Sequence, residues 1–453
     1  MGYKMGKKKE SHDRKIRPWM EYKLHIVVFV LVIIAEFIGV KKLNITGTVS
    51  IVLMPLLYAM IMGLALFLAK PVKFIQNHES KVAEGLMILF MVPIIVKLAL
   101  SSGQVFESLS FAPALILQQI GNLGTIFFAM PVALLLGFKR ESIGMTSSIC
   151  REPNIGIILD KYGIRSPETR GVLTVYVIGT IIGTVFISLV ASLSTALPLH
   201  PYALAMASGI GSASMNAAAI TPLLNIFPSM SHEILAFSGL SNLLSFCFGI
   251  YLTILVGLPL TEKLYGWLEP KIGRTTSSTI DPDSYEDETG MKNHQLDKEL
   301  NKLSLKRLSD WVMLLLIFSI MVTIGNYIST GEPWQTTLIG MLILSAISYI
   351  SYLFERLLPK HISSIVWASA IGIILSLPFL PTADYILQFV NAVDLSAIVT
   401  VYLAYVGISI GRDWDQFKKL GWRGAIVTCF VILGTYLCSA TIAHIVLLFT
   451  GAI

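Results

Sequence analysis

Residues 204–224 read LAMASGIGSASMNAAAITPLL, and this stretch decides how the chain is interpreted. It is as long as a membrane-inserted segment, but serines, glycines and an asparagine stand among its alanines. In hydrocarbon every backbone polar group must be hydrogen-bonded within the protein, so a weak helix is tolerated only in a protein interior or beside water. We therefore predict a re-entrant or broken helix at the centre of a transport pathway. A continuous helix that packs through small residues is the alternative.

The polar residues of this stretch are our first candidates for substrate contact. The glycines allow a break or a close approach of backbones, and the hydroxyl and amide side chains offer hydrogen bonds. Transporter sites are often built from interrupted membrane segments of this kind. The predicted substrate-binding residues here are Gly209, Gly211, Ser212, Ser214 and Asn216.

The composition of the whole chain places this stretch in a membrane protein. Of the 453 residues, 54% are hydrophobic and only 14% are charged, and the mean hydropathy is +0.72. Soluble domains have about 25% charged residues. Apolar windows of about 20 residues recur along the chain, so we predict an all-α polytopic membrane protein with about eleven transmembrane helices and two broken or re-entrant segments. Its surroundings are the lipid bilayer, and no nucleic-acid partner is expected.

The basic residues orient this layout. Nearly all of the 34 Lys and Arg residues fall in loops that the layout puts on one side, and such loops face the cytoplasm. The chain then has a basic cytoplasmic tail (1–23), an N-terminal membrane half (24–258), a cytoplasmic linker (259–307) and a C-terminal membrane half (308–453). We expect a multi-pass protein of the cytoplasmic membrane with its N-terminus in the cytoplasm.

The second interrupted segment, residues 142–160, is apolar but contains the run Arg151-Glu152-Pro153-Asn154. A residue before proline avoids helical dihedrals, so a helix break near Glu152 is predicted. An arginine suits an anionic substrate group, and a carboxylate can carry a proton. We assign Arg151 and Asn154 to substrate binding and Glu152 to ion coupling. The alternative is a turn at the cytoplasmic face, in which Arg151 pairs with a neighbouring acid.

Both interrupted segments could instead cross the membrane fully. That layout has about thirteen spans and moves Lys161, Arg165 and Arg170 outside, which the charge rule disfavours. A weak similarity between GFKRESIG (137–144) and GRDWDQFKKLGW (411–422) points to two repeats, an arrangement common in secondary transporters.

Polar residues within the predicted spans extend the candidate site. Gln118, Asn122 and Thr125 follow the spacing of one helical face, which is typical of either a pathway lining or interhelical hydrogen bonds. Glu36, inside the first span, is a second candidate for ion coupling, with a neutral packing carboxyl as the alternative. Asp394 has the position of a helix N-cap, and His444 that of a hydrogen-bonded histidine.

Motifs of other protein classes are absent from the sequence. It has no GxxxxGK[ST] phosphate-binding loop and no paired Cys/His zinc spacing, and we expect neither a cofactor nor a metal site. No histidine lies where it could activate Ser212 or Ser214, so we do not expect an enzyme. We predict a secondary transporter of a small polar or anionic metabolite; a non-transporting scaffold or a membrane-embedded enzyme is the alternative. Substrate, ion and any homo-oligomer stay open.

Three segments carry a resemblance to a known family. FKRESIGMTSSICREPNIGIILDKYGIRSPETRGV (138–172), HPYALAMASGIGSASMNAAA (200–219) and VGISIGRDWDQFKKLGWR (406–423) resemble the bacterial integral-membrane family known as domain of unknown function 3100. The resemblance implies a multi-spanning prokaryotic membrane protein and supplies no substrate. More loosely, residues 204–224 are similar to the re-entrant loops of sodium-coupled carboxylate and glutamate symporters, without their paired Gly-Gly-x-Gly signature.

Overall fold

The structure is helical throughout most of the chain. The computed structural model describes residues 17–46, 49–69, 75–103, 111–147, 152–163, 166–273, 305–357, 364–411 and 414–453. Most of the predicted tail and of the predicted linker therefore lies outside the described residues. Within the described ranges, the exception to the all-α prediction is one antiparallel hairpin of β1 (Lys41–Thr46) and β2 (Val49–Leu53).

The hairpin precedes a helix that starts at a proline. Val49, Ile51 and Val52 of β2 are β-branched, which favours an extended strand. Pro55 then begins the next helix, where its missing N–H is not needed. The apolar run after residue 47 is therefore divided between a strand and a helix of 14 residues.

The N-terminal part of the chain contains long helices and several short ones. In chain order they are α1 (Tyr22–Ile38), α2 (Pro55–Leu68), α3 (Asn77–Gly103), α4 (Ala112–Leu117), α5 (Gly124–Leu135), α6 (Glu141–Thr146), α7 (Glu152–Tyr162), α8 (Pro167–Ser194), α9 (Pro201–Ser208), α10 (Ala213–Ile226), α11 (Ser231–Leu252) and α12 (Leu258–Ile272). A 3₁₀ helix, Gln118–Leu123, joins α4 to α5, and a π-helical turn, Thr253–Gly257, joins α11 to α12.

The C-terminal part consists of fewer, longer helices. They are α13 (Leu305–Thr330), α14 (Trp334–Leu357), α15 (Ser364–Leu375), α16 (Ala383–Asn391), α17 (Leu395–Ile410) and α18 (Trp414–Phe449), which is kinked at Gly421. Asp394 caps α17 as predicted, because its carboxylate accepts the backbone N–H of Ser396 at 3.2 Å.

Five helical segments in the described ranges are long and apolar enough to cross a membrane: α3, the α4–α5 unit, α13, α14 and the part of α18 from Gly421. Two bent units raise that number to seven if each counts as one span. One is α8, bent by 65° between Gly179 and Ile181, and the other is α16 with α17, bent by 62°. These assignments rest on length and composition.

Exposed apolar side chains indicate where lipid covers the protein. On α1, Ile26, Val30, Ile34 and Phe37 lie on one stripe at helical spacing and are all exposed, Phe37 by 74%. Such a continuous apolar surface is unusual on a protein surrounded by water. The opposite side of α1 is buried in the main apolar core, which joins helices from both parts of the chain.

Glycines bring pairs of helices into backbone contact. A Cβ added to Gly407 of α17 would lie 2.2 Å from the carbonyl oxygen of Met60 on α2, and one added to Gly124 of α5 would lie 2.5 Å from that of Gly434 on α18. Small residues at crossing points are the usual way for membrane helices to pack closely. These crossings connect the two parts of the chain, and the α5–α18 crossing fixes the depth of the candidate site.

Candidate functional site

The stretch predicted to be interrupted contains a helix break. Helix α9 ends at Ser208 and α10 begins at Ala213, and residues 209–212, here called the break, lie between them. Gly211 has a φ of +153°, a backbone conformation that residues other than glycine rarely adopt. The hydroxyl of Ser212 caps α10 by accepting the N–H of Met215 at 3.3 Å. Residues 204–224 are therefore not one continuous helix.

A polar stripe on α11 faces the break. It consists of Ser238, Ser241, Asn242 and Ser245, whose spacing places them on one helical face. Asn242 donates its side-chain N–H groups to two carbonyls of the break, at 2.9 Å to Gly209 O and 3.3 Å to Gly211 O. These bonds satisfy backbone oxygens that the broken helix leaves without intrahelical donors. The stripe was not singled out from the sequence, although its i, i+3, i+4, i+7 spacing within an apolar helix is a detectable signal.

The third part of the candidate site, after the break and the polar stripe, is the 3₁₀ helix between α4 and α5. The side-chain amide of Gln118 donates to Ser241 Oγ at 2.8 Å. Its neighbour Gln119 donates to Ser241 O at 3.1 Å and accepts the hydroxyl of Ser245 at 2.5 Å. Both glutamines are buried. Gln119 is thus a site residue that the sequence-based interpretation missed.

The predicted common face of Gln118, Asn122 and Thr125 does not exist. The prediction assumed α-helical winding, in which residues 118, 122 and 125 share a face. Residues 118–123 form a 3₁₀ helix with three residues per turn, so side chains four positions apart point in different directions. Asn122 is half-buried and donates to Gln119 O at 3.0 Å. Thr125 instead donates to Thr146 O, at 2.7 Å, on α6. Of the three, Gln118 is the residue that contacts the polar stripe.

Two fully buried side chains in this cluster have polar atoms without hydrogen-bond partners among the described residues. They are Oε1 of Gln118 and Nδ2 of Asn216, whose Oδ1 accepts the hydroxyl of Ser238. An unsatisfied buried polar atom costs about 1–3 kcal/mol. Such atoms are uncommon in a finished core, and here they supply one free acceptor and one free donor beside the break.

Accessible hydroxyl groups adjoin these buried amides. Ser212 and Ser214 share a hydrogen bond of 3.0 Å between their hydroxyl oxygens, and both side chains keep part of their surface exposed. Gly209 and Gly211, by contrast, are buried. A polar molecule that reached the break would therefore contact the serine hydroxyls first and the amides behind them.

Helix α18 shows how deep the break lies. Its apolar segment runs from Gly421 to Phe449. The middle of this segment contacts the site, because Tyr436 donates to Leu204 O of α9 at 3.4 Å and an added Cβ on Gly121 would lie 2.1 Å from Ser439 Oγ. The 3₁₀ helix and the end of α9 are therefore at the level of the centre of a candidate membrane span.

The second interrupted segment lies at the start of α8. Helices α6 and α7 both pack on α8, and Arg170 pairs with Glu141 at 3.5 Å. Residues 148–151, immediately before the position of the predicted break, lie outside the described residues, and α7 is described from Glu152. Arg151 lies outside the described residues, and the side chain of Glu152 is not described. Asn154 is buried on α7. The roles assigned to these three residues stay predictions.

Glu36 belongs to a different group of polar residues. It is buried on α1, and the charge of Asp394 acts on it and also on the buried Lys97 of α3. His444, which was predicted to be hydrogen-bonded, accepts the backbone N–H of His200 through Nδ1 at 3.2 Å. No group of three or more His, Cys, Asp or Glu side chains within the described ranges could hold a metal ion.

Long apolar helices, a lipid-facing apolar stripe and polar groups confined to the interior define a helical protein with several candidate membrane spans. The chain belongs to the family described as "Protein of unknown function (DUF3100)", whose model matches residues 33–267. The break, the 3₁₀ helix and α11 all lie within the matched residues. No curated protein and no solved structure matches the chain.

Proposed function

We propose that this protein is a secondary transporter that moves a small polar or anionic metabolite across the cytoplasmic membrane by using an ion gradient. The observation that carries the proposal is the helix break at residues 209–212. Backbone that cannot form a regular helix is placed at the depth of a membrane centre only where protein or water can satisfy its polar groups. Here neutral polar side chains surround it, and two of them have unused hydrogen-bonding atoms.

The contacts of α11 support a re-entrant hairpin made of α9 and α10. The ring of Tyr202, early in α9, packs at 4.9 Å on that of Phe237, and the end of α9 reaches Ser241 through Gly209. On α10 the chain returns, because Asn216 contacts Ser238. Only residues 227–230 then separate α10 from α11. In this proposal, the segment enters and leaves on the same side.

The chemistry around the break favours a small molecule with both hydrogen-bond donors and acceptors. Amide and hydroxyl groups of Gln118, Asn216, Ser212 and Ser214 can pair with either type. The N-terminus of α10 adds backbone N–H groups and a partial positive charge, which favour an anionic group such as a carboxylate. Interrupted helices in transporters bind anionic substrate groups in this manner. Arg151 and Asn154 remain proposed contributors from the second interrupted segment.

The proposed topology has about eleven spans, two repeats and a cytoplasmic N-terminus. It places Ser166, which caps α8, on the cytoplasmic side. A Ser166→Cys variant of a chain without its natural cysteines should react with a membrane-impermeant maleimide only after the membrane is opened. Labelling from the outside of intact cells would support the layout with about thirteen spans instead.

Ligand binding provides the direct test of the site. The purified protein is screened by thermal shift against a panel of carboxylates, amino acids and nucleosides, because a ligand that binds only the folded state raises the unfolding temperature. Uptake of each hit is then measured in proteoliposomes under an imposed proton or sodium gradient. We expect Asn216→Leu to weaken binding about tenfold or more, the loss of about 1.4 kcal/mol.

Asn225→Leu is the matched control, since the Asn225 amide lies on the same helix and donates to the carbonyl of Thr221 at 3.2 Å. It should bind and transport as the wild type does. Equal binding by all three proteins would refute the site. Binding without gradient-driven uptake would refute transport and leave a ligand-binding membrane scaffold.

A further inference from the structure

The buried carboxyl of Glu36 has an unusual environment. Its side chain on α1 is only 3% exposed, and neither carboxyl oxygen has a hydrogen-bond partner among the described residues. Thr400 of α17 lies against it, but its hydroxyl donates to Ser396 O at 2.8 Å. On the other side, a Cβ added to Gly325 of α13 would lie 3.6 Å from Glu36 Cγ. The carboxyl is therefore enclosed by protein, and the hydroxyl that lies against it, that of Thr400, is bonded to Ser396 O.

The neighbouring charges are arranged around the bend between α16 and α17. Lys97 of α3 is buried, and its ammonium group donates to Val390 O, near the end of α16, at 2.6 Å. Asp394 caps the start of α17. A cation at the C-terminus of one helix and an anion at the N-terminus of the next both interact favourably with the helix dipoles. The charges of Lys97 and Asp394 also attract each other.

Asn326 of α13 holds this bend in place. Its side-chain oxygen accepts the backbone N–H of Asp394 at 2.8 Å, and its side-chain nitrogen donates to Ala392 O and to Thr337 Oγ1, each at 3.0 Å. Beside Asp394, the hydroxyl oxygen of the buried Ser396 has no partner among the described residues. Lys97 and Asp394 thus each interact with a helix end and attract each other, whereas no ion pair reaches Glu36 among the described residues.

An ionised carboxylate without partners is costly to bury, and buried ionisable groups in membrane segments commonly mark proton or ion pathways. Within the described ranges Glu36 belongs to no group of three or more His, Cys, Asp or Glu side chains that could hold a metal ion, which favours a proton as the cation that this carboxyl takes up. We propose that Glu36 binds and releases the proton whose gradient drives transport. In this step, an O–H bond of hydronium breaks on one side of the membrane, an O–H bond to a carboxylate oxygen of Glu36 forms, and water is left. On the other side this bond breaks, the proton passes to water to form hydronium, and the carboxylate is restored.

The other titratable groups around Glu36 are few. Among the elements that pack on α1, α17 contributes Asp394 at its cap and Tyr402 and Tyr405 along its length, and α2 contributes Tyr58. From α13, Tyr327 lies near Gly325, and Asp310 is at the far end, paired with Arg17. Lys97 of α3 interacts with Asp394. Tyr405 is hydrogen-bonded to His25 at 2.7 Å, near the start of α1, so that pair is a separate unit.

This inference rests on the proposed transport function, but its first test does not need a substrate. Infrared difference spectra of the protein in lipid vesicles are recorded between about pH 5 and about pH 9. We expect the carbonyl band of one protonated carboxyl to disappear at alkaline pH in the wild type and to be absent from Glu36→Gln, which keeps the shape of the side chain. Glu332→Gln, in the exposed turn between α13 and α14, should retain the band. Glu36→Asp should shift the band without removing it.

Identical difference spectra of wild type and Glu36→Gln would overturn the proposal, as would loss of the band when sodium is added at constant pH. Once a substrate is known, Glu36→Gln should still exchange it across the membrane and lose accumulation driven by a pH gradient. If pH-driven accumulation persists in Glu36→Gln, the proton is bound elsewhere. If the band titrates but no compound is transported, the transport proposal fails and the proton site stands.

Discussion

The side-chain amide of Asn242 on α11 donates a hydrogen bond of 2.9 Å to the backbone carbonyl of Gly209, the first residue of the break. A second bond reaches Gly211 O at 3.3 Å. Asn242→Leu would leave both oxygens unsatisfied in a buried place. We expect the free energy of unfolding in mixed micelles to fall by about 1–2 kcal/mol, within the range measured for polar contacts between membrane helices.

The same variant tests whether the geometry of the break matters for binding. Without Asn242 the break is free to relax, so affinity for any ligand found by thermal shift should fall together with stability. Ser348→Ala serves as the comparison, because the buried hydroxyl of Ser348 donates to Leu344 O within its own helix. Its removal should lower the free energy of unfolding only slightly. Unchanged stability and affinity in Asn242→Leu would show that Asn242 does not hold the break.

Gly121 lies where the 3₁₀ helix crosses α18 closely, next to the site. An added Cβ would lie 2.4 Å from Ser439 Cα and 2.5 Å from its backbone nitrogen, and backbone cannot move aside as a flexible side chain can. We expect Gly121→Ala to lower the free energy of unfolding by about 3 kcal/mol or to prevent folding. Gly85→Ala, in a helix where an added Cβ meets nothing within 4 Å, should be neutral or stabilise by up to about 1 kcal/mol. Equal effects would contradict the crossing.

A pH effect is expected at the contact between α7 and α12, outside the candidate spans. Tyr162 donates its hydroxyl to Glu262, and this bond, together with Lys161 at 3.3 Å, lowers the pKa of Glu262 below 4.5 although partial burial opposes the shift. A lowered folded-state pKa means that the stabilisation is present above about pH 4.5 and is lost as the pH falls through the folded value.

Thermal unfolding as a function of pH tests whether stability is lost as the pH falls. Between about pH 6 and about pH 3, the unfolding temperature of wild type should fall more than that of Glu262→Gln, which cannot titrate. Tyr162→Phe should give an intermediate decrease, since Lys161 still acts on the carboxylate. A larger decrease in Glu262→Gln than in wild type would show that the carboxylate does not stabilise the fold.

Composition and local pattern predicted much of this architecture. The helix break at residues 209–212 follows from glycines and serines within an apolar stretch, and the Asp394 cap follows from an acid immediately before an apolar run. These features depend on residues close together in the chain. The hairpin of β1 and β2 was missed because Val49–Leu53 is as apolar as the helix after it, and its β-branched residues are a weak signal within an apolar run.

The parts that the sequence did not predict depend on winding and on distant contacts. Gln119 was missed because the 3₁₀ winding between α4 and α5 turns it, rather than Asn122, towards α11. Lys97 and Val390 are 293 positions apart, so nothing local relates Lys97 to the bend before α17. A single sequence shows that such residues are polar and intramembrane, but it does not show which of them meet.

Lys97 and Asp394 carry opposite buried charges that attract each other, which leads to a test by double substitution. Removing one of two buried opposite charges leaves the other without compensation and typically costs about 3–5 kcal/mol, whereas replacing both can cost much less. We expect Lys97→Met alone to lose about 3 kcal/mol or more of unfolding free energy. The double variant Lys97→Met with Asp394→Asn should regain part of that loss, because the asparagine can still cap α17. Titration with SDS from mild micelles measures wild type, Lys97→Met, Asp394→Asn and the double variant. If the losses of the two single variants simply add in the double variant, the residues act independently, and Lys97 serves only the carbonyl of Val390.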